Sequence, residues 1–484
     1  MRTPFFAHSL LSLALLFGAP LPAEASEEED LRDEAIFGED PSSQVEEEMQ
    51  SSLSKRDELT TLGGQLYSRY GLSITEGTPL SKAPFSSPTL TDMYLDARPN
   101  ERLRGYIRGR LNYNFSYSEE SAPTLFTPNS QSSVLLDQLW FKFDIAETLY
   151  ITLGKQPLRW GSGRFWNPTD FVNHQTRDPF AFVDQRTGVG LLKVHFPIES
   201  LGWNLYGILN GDGVRSPEEA GVALRAELLY GTTELALSAA NQRGGPRQLG
   251  VDVSTGIWVL DFHLEVAAHN AYRESFITSS SSPKTGFPLL GYDPLPVPEQ
   301  RDEWLYQGVA GVELAVQYSD EDSAYMGAEY FYNQMGYDDP KLFTWLAMTG
   351  KLRALYLGAH YASVYLSLPN PGKLRNTSFT LSAMSNLSFE SGLLRFDYRS
   401  RILTFLDFFA GATFYAGETS DLRFALEVSP HDLSPTVENL VTETLREETG
   451  MNQEDADSAV SLLQNGLSSP RQLVNLQLGL RMSF

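Results

Sequence analysis

The sequence contains no cysteine. Disulfides, a c-type haem link and a lipid-bearing N-terminal thiol are therefore excluded. Beyond the first 25 residues it also lacks any apolar run of about 18 residues, so no helical membrane span is expected. Basic charge is scarce: 37 Lys and Arg stand against 61 Asp and Glu, a formal net charge of -24, which argues against a nucleic-acid partner. The imbalance is local. Residues 27–58 hold 13 acids and 3 bases, and residues 432–457 hold 8 acids and 1 base. Both segments read as solvated acidic surface rather than as docking sites for a basic partner.

At 484 residues the chain is long enough for two or three soluble domains or for one large barrel, and its ends favour the barrel. Arg2, the apolar run at 10–17 and Ala23-Glu24-Ala25 follow the order of a secretory signal peptide, with cleavage expected after Ala25. At the other end Val474, Leu476, Leu478, Leu480, Met482 and Phe484 alternate strictly with Asn475, Gln477, Gly479, Arg481 and Ser483. That is the period of a strand with one apolar and one polar face. The stretch resembles the C-terminal targeting strand of Gram-negative outer-membrane barrels, which implies that the barrel-assembly machinery takes up the Phe484 strand.

The clearest alternation lies at residues 102–117. Leu103, Gly105, Ile107, Gly109, Leu111, Tyr113 and Phe115 share one face; Arg102, Arg104, Tyr106, Arg108, Arg110 and Asn112 share the other. Neither a sandwich core nor lipid accommodates such a row of arginines, so that face must meet water. A barrel lumen supplies it. The chain is read as all-β, a transmembrane antiparallel β-barrel of eighteen strands, with sixteen as the alternative because short and long connections stop alternating cleanly at 367–403. Strands are predicted at 149–160, 257–269, 352–366 and 392–401 among others. The barrel is placed at 61–484, behind an acidic periplasmic leader at 26–60, and the run of short and long connections puts both termini in the periplasm. A helical insert is expected at 417–470, where Ser434-Pro435 can open one helix and Asn452 to Asp455 a second that stops at Gly466.

Strand parity sorts the charges. Arg104, Arg108, Arg110, Arg395, Arg399 and Arg481 fall on inward faces of strands that meet at the barrel seam, with Asp397 and Arg401 beside them. Glu234, Asp261, Glu265, Glu313 and Glu329 fall on inward faces on the far side. The expected result is a transverse field that draws charged solutes along the arginines; the competing reading is that these charges hold the wall together. Asp261, His263, Glu265 and His269 share one strand face and so raise a hydrolase or metal-site reading. No nucleophile or orienting partner accompanies them, so no catalytic residue, metal or cofactor is assigned.

Residues 154–186, GKQPLRWGSGRFWNPTDFVNHQTRDPFAFVDQR, interrupt the strand pattern with glycine, proline, aromatics and charge. Gly161-Ser162-Gly163 suits a sharp turn, and the aromatic content demands a packing partner. In topology the chain resembles general and substrate-selective porins, in which the third outer loop commonly folds into the lumen and narrows it. The runs TDMYLDARPNERLRGYIRGR, LLDQLWFKFDI and GKQPLRWGSGRFWNPTDF look like those of a group of large Gram-negative porin-type barrels. The resemblance makes 161–187 the candidate constriction, with Arg159, Trp160, Arg164, Trp166, Asp170 and Arg177 as its working residues. It implies an outer-membrane channel, monomeric or trimeric, set in lipid and lipopolysaccharide and passing small hydrophilic solutes; the row of inward arginines adds an expected preference for anionic or polar ones. A non-transport barrel that exports or anchors a surface polymer or binds a partner, and an outer-membrane hydrolase, are the alternatives.

Overall fold

The computed structural model describes residues 59–117, 131–173, 175–212, 220–241, 245–270, 275–278, 297–300, 303–320, 322–337, 339, 342–343, 346, 354–423, 425–428, 433, 435–447 and 453–484. The signal peptide and nearly all of the acidic leader expected from the sequence lie outside these residues.

Wherever polar and apolar residues alternate, the backbone is extended and paired to both sides. The barrel strands are β1 (Thr60–Thr75), β2 (Pro88–Asn100), β3 (Leu103–Asn114), β4 (Ser132–Ile145), β5 (Leu149–Gln156), β6 (Val189–Ile198), β7 (Trp203–Asn210), β8 (Gly221–Tyr230) and β9 (Thr233–Asn241). They continue as β10 (Arg247–Ile257), β11 (Leu260–Asn270), β12 (Trp304–Gln317), β13 (Ser323–Asn333), β14 (His360–Pro369), β15 (Thr377–Asn386), β16 (Ser391–Leu403), β17 (Leu406–Gly417) and β18 (Gln472–Ser483). Each pairs antiparallel with its neighbour in sequence, and β1 pairs with β18 from Gln65↔Ser483 to Thr75↔Gln472, so the sheet is a closed barrel of 18 strands. A nineteenth, two-residue strand, Phe85–Ser86, only doubles back on β1.

The barrel is apolar outside and polar inside. On β3 the outward Leu103, Ile107 and Leu111 are about 40% exposed in the isolated chain, at 38%, 41% and 43%, while the inward Arg110 is only 4% exposed. Closure leaves no sheet edge, and every strand's backbone is satisfied by its neighbours, as a hydrocarbon environment requires. Trp258, 99% exposed in the β10–β11 turn, and Phe405 in the β16–β17 turn stand on the outside of the rim formed by the short turns, where amphipathic or bulky rings suit a membrane boundary.

The departures from the sequence reading are local and have causes. The strand predicted at 149–160 ends at Gln156, because Pro157 has no N–H for the ladder. The one predicted at 352–366 begins only at His360; Leu355 and Leu357 alternate in sequence because they are packed loop residues, 9% and 2% exposed. The strand predicted at 257–269 starts only at Leu260, because Gly256 and Ile257 still belong to β10, paired with Asp261 and Leu260, and the turn falls at Trp258-Val259. The alternation of connection lengths blurs near 367–403 because the 370–376 turn on the short-turn rim is longer than the 387–390 turn on the opposite rim. In the last long connection, helices α1 (Pro435–Glu447) and α2 (Gln453–Asn465) stand between two short paired strands, Leu426–Val428 and Leu467–Ser469. Pro435 opens α1, and Gly466, at φ 73°, follows α2, as read from the sequence.

Candidate functional site

Residues 157–188, between β5 and β6, fold into the lumen and touch both of its charged walls. The turn at 161–165 starts this path. Gly161 has φ 95°, and a Cβ on Gly161 or Gly163 would collide with the Glu265 carboxylate or the Trp166 carbonyl, so glycine is required there. The bend aims its amides at the wall. Glu265 of β11, fully buried, accepts from the backbone N–H of Ser162 and Gly163 at 2.6 Å each and from the Thr169 hydroxyl at 2.9 Å. Glu329 of β13 accepts from the N–H of Arg164 and, at 2.9 Å, of Phe165, and its Oε1 also faces His263 Nε2 at 3.0 Å. Hydrogen bonds to a charged acceptor contribute roughly 1.5–3 kcal/mol each, so two wall carboxylates fix four consecutive amides.

Trp166 anchors the turn. Its ring is completely buried, stacked on the inward Phe331 of β13 at 5.4 Å and tilted against Tyr361 of β14 at 5.7 Å. Its Nε1–H donates to the Leu355 carbonyl at 3.0 Å. The Leu355 N–H and the Tyr361 hydroxyl both donate to Asp421 Oδ2 at 2.7 Å, and Asn386 donates to Asp421 Oδ1 at 2.8 Å. Burial pushes the Asp421 carboxyl up from the usual carboxylate range against the pull of these donors. Leu355 and Asp421, each from another long connection, are thereby tied to the indole of Trp166. Trp160 packs separately, with Val172, onto the inward Val189, Leu191, Ile208 and Ala223.

The second half of the loop crosses to the seam side. Phe182 lies 5.0 Å from Phe409 of β17, and the Arg395 guanidinium sits 5.1 Å from the Phe182 ring and 5.8 Å from that of Phe180. Arg110 donates to the Gln185 carbonyl at 2.7 Å, and the Gly188 N–H returns to the Asp137 carbonyl beside β5. The aromatics that looked excessive for a solvated tip are what fasten the loop at both ends.

All six arginines predicted for the basic side point inward, and each has acidic company, of which the sequence reading had placed only Asp397 beside them. Arg104 bonds Asp96 at 3.0 and 3.1 Å, Arg108 bonds Asp92 at 2.6 Å, and Arg110 bonds Asp137 at 2.8 Å. Arg395 is held by Asp397 at 2.7 Å. Arg399, Arg401 and Arg481 share a single carboxylate, Asp407, at 3.4, 3.6 and 2.7 Å. Arg110 and Arg395, 4% and 5% exposed, are built into the wall beneath the loop. The Asp407 group lies nearer the short-turn rim, beside the β16–β17 hairpin.

On the far side Glu265 and Glu329 hold the loop, and Glu313 accepts from the Tyr365 hydroxyl. Glu234 and Asp261 are exposed. Sequence reasoning missed Arg225, which sits among these acids and binds Asp252 at 2.9 Å and Glu227 at 2.7 Å. Its inward parity in β8 was available as a signal. His263 and Glu265, the core of the hydrolase reading, are committed to the loop and its anchor, and His269 lies against Phe171 and Gln248. Among the described residues no group of His, Asp and Glu is arranged to hold a metal.

No protein-family model matches the chain, and no curated protein sequence matches it. Solved structures do. OccAB1 of Acinetobacter baumannii aligns over 88% of this chain and 96% of its own with a TM-score of 0.50 at 9% identity. OccAB4 of the same organism aligns over 89% and 99% with a TM-score of 0.50 at 6% identity. A BenF-like porin from Pseudomonas fluorescens aligns over 88% and 99%, at 0.49 and 10%. At identities this low the likeness to the two Acinetobacter proteins is one of fold, and at that level the barrel read from the sequence and the barrel observed agree.

Proposed function

We propose that the protein is an outer-membrane channel for small hydrophilic solutes, with a preference for anions and polar acids, the long connections facing outward and both termini in the periplasm. One observation carries this reading: a loop fastened across the lumen turns its path toward a seam wall where three guanidiniums share the one carboxylate of Asp407. A polar lumen with an excess of fixed cations on one side favours anions along that side. Arg104, Arg108, Arg399 and Arg481 are the residues that a passing anion meets, and Arg159, Trp160, Arg164, Trp166, Asp170 and Arg177 shape the narrowing. Glu234, Asp261 and Glu313 line the opposite wall.

The test is the reversal potential of the refolded full chain in a planar bilayer across a KCl gradient. A displacement to the chloride side is expected. A chain that conducts no ions, or that passes potassium in preference, overturns the reading. Orientation has its own check, because a chain without cysteine can carry a single reporter thiol: Glu418→Cys, on the long-loop rim, should react on intact cells with a thiol reagent that does not cross the membrane.

A further inference from the structure

We infer that Asp421 is a proton-sensitive latch on the 157–188 loop, a carboxyl that holds the Trp166 turn more firmly when neutral than when charged. The effect on current, though not the latch itself, rests on the channel reading above. Asp421 Oδ2 accepts from the Leu355 N–H and the Tyr361 hydroxyl, and Oδ1 accepts from the Asn386 amide. The carbonyl of the same Leu355 takes the Trp166 Nε1–H at 3.0 Å. Leu422, the next residue along, packs in one apolar cluster with Phe165, Trp166, Leu355 and Tyr361. A change at the Asp421 carboxyl therefore reaches the indole through a single residue.

The three donors are all uncharged. From β14 the carboxyl meets the Tyr361 phenol, from β15 the Asn386 carboxamide, and from the segment before β14 a backbone N–H. On its own connection, the Arg423 guanidinium donates to the Gly417 and Gln472 carbonyls, and Glu418 lies 3.8 Å from Arg471. The His360 ring beside Tyr361 is bonded to Tyr330, and the Tyr356 phenol meets the Asn167 backbone. Among the described residues no cation is within ion-pair distance of Asp421. Burial, the largest influence on it, raises its carboxyl above the ordinary aspartate value against the pull of the donors. A neutral carboxyl keeps acceptor capacity for those donors and gains an O–H of its own. Because the closed latch takes up the proton more readily than a released, hydrated Asp421, its stability rises as pH falls through the raised value. That added stability is lost as pH climbs again. Acid therefore tightens the tie.

Hydrogen exchange of the full chain in micelles, corrected for the intrinsic pH dependence of amide exchange, reads the latch without any current. Protection of peptides covering 160–170 and 355–361 should rise roughly threefold or more from about pH 8 to about pH 4, the range above the ordinary aspartate value. Asp421→Asn, which keeps the shape without the charge, should show at about pH 8 the protection that the wild type reaches only at about pH 4. It also separates Asp421 from Glu265 and Glu329, which hold the same turn. Asp421→Ala should be poorly protected at both values, and heat-modifiable migration on gels confirms that each variant has formed its barrel. Wild-type protection that does not change with pH, or a pH dependence that Asp421→Asn retains in full, overturns the latch. In planar bilayers the wild type should flicker less at the lower pH. A chain with this exchange pattern that conducts no ions would sink the channel reading and leave the latch standing; a conducting chain without the pattern would do the reverse.

Discussion

The two charged walls of this lumen handle charge in different ways. On the acidic side Glu265 and Glu329 are sealed from water, and their partners are backbone amides of the 157–188 loop. On the basic side the arginines are matched with carboxylates of their own wall, and the matching is incomplete at Asp407, where three guanidiniums meet one acid. A buried carboxylate that accepts several N–H groups is part of a scaffold. The guanidiniums that share Asp407 keep partial contact with the lumen, at 21%, 29% and 15% side-chain exposure. The acidic wall thus positions the loop and the basic wall supplies the field, which makes the walls separable by mutation.

The largest effect should come from cutting the scaffold. Replacing Glu265 and Glu329 together by Ala removes the acceptors of four loop amides, and losses of roughly 1–3 kcal/mol for each unsatisfied group suffice to release the turn. Single-channel conductance should at least double, with frequent transitions between levels, and trypsin should cut at Arg164 or Arg177, sites protected in the wild type. Trp166→Ala should move in the same direction, since truncating a fully buried large aromatic costs about 3–5 kcal/mol. If conductance and protection survive the loss of both carboxylates, the division of labour between the walls is wrong.

A smaller effect is expected from the other wall. Arg399→Gln with Arg481→Gln leaves Arg401 alone with Asp407, and the local excess of cations disappears. The reversal potential should move several millivolts toward potassium while unitary conductance changes by less than about a third, because both side chains contact the wall's own Asp407 and Phe409. The choice of arginines matters: Arg110 and Arg395 are 4% and 5% exposed and brace Gln185, Phe180 and Phe182. Neutralising them would mix a change of field with a change of structure.

How far the sequence disclosed this arrangement depends on the range of the physics involved. Period two is local, so strand number, closure and the inward face of every predicted arginine and glutamate were legible one strand at a time. Pairing across strands is a matter of register, which no single strand contains. Asp92 and Asp96 therefore went unnoticed as the diagonal partners of Arg108 and Arg104 across the β2–β3 pairing, although their parity in β2 was visible. Asp137 was hidden more deeply. A bulge in β4, where the register shifts between Arg108 and Gly109, turns both Gln138 and Asp137 inward, so alternation read from Trp140 assigns Asp137 to lipid. The loop's aromatics announced that it packs. That Trp166 would meet Leu355, itself held by Asp421, depended on two other long connections whose contacts are far apart in sequence.

The smallest expected effect isolates the field from the scaffold on the acidic side itself. Glu234 and Asp261 are exposed. Asp261 stands directly opposite Glu313 in the β11–β12 pairing, and like charges so placed repel. Asp261→Asn should therefore leave the barrel slightly more stable, by a few tenths of a kcal/mol at most. In a lumen whose selectivity comes from the arginine side, it should move the reversal potential toward chloride by no more than a millivolt or two in moderate salt, where exposed charges more than about 10 Å apart are screened from one another. Measured beside Glu265→Ala, it asks whether an acid on this wall acts by its charge or by what it holds. A shift from Asp261→Asn as large as that from the Arg399 and Arg481 pair would mean that both walls set the field.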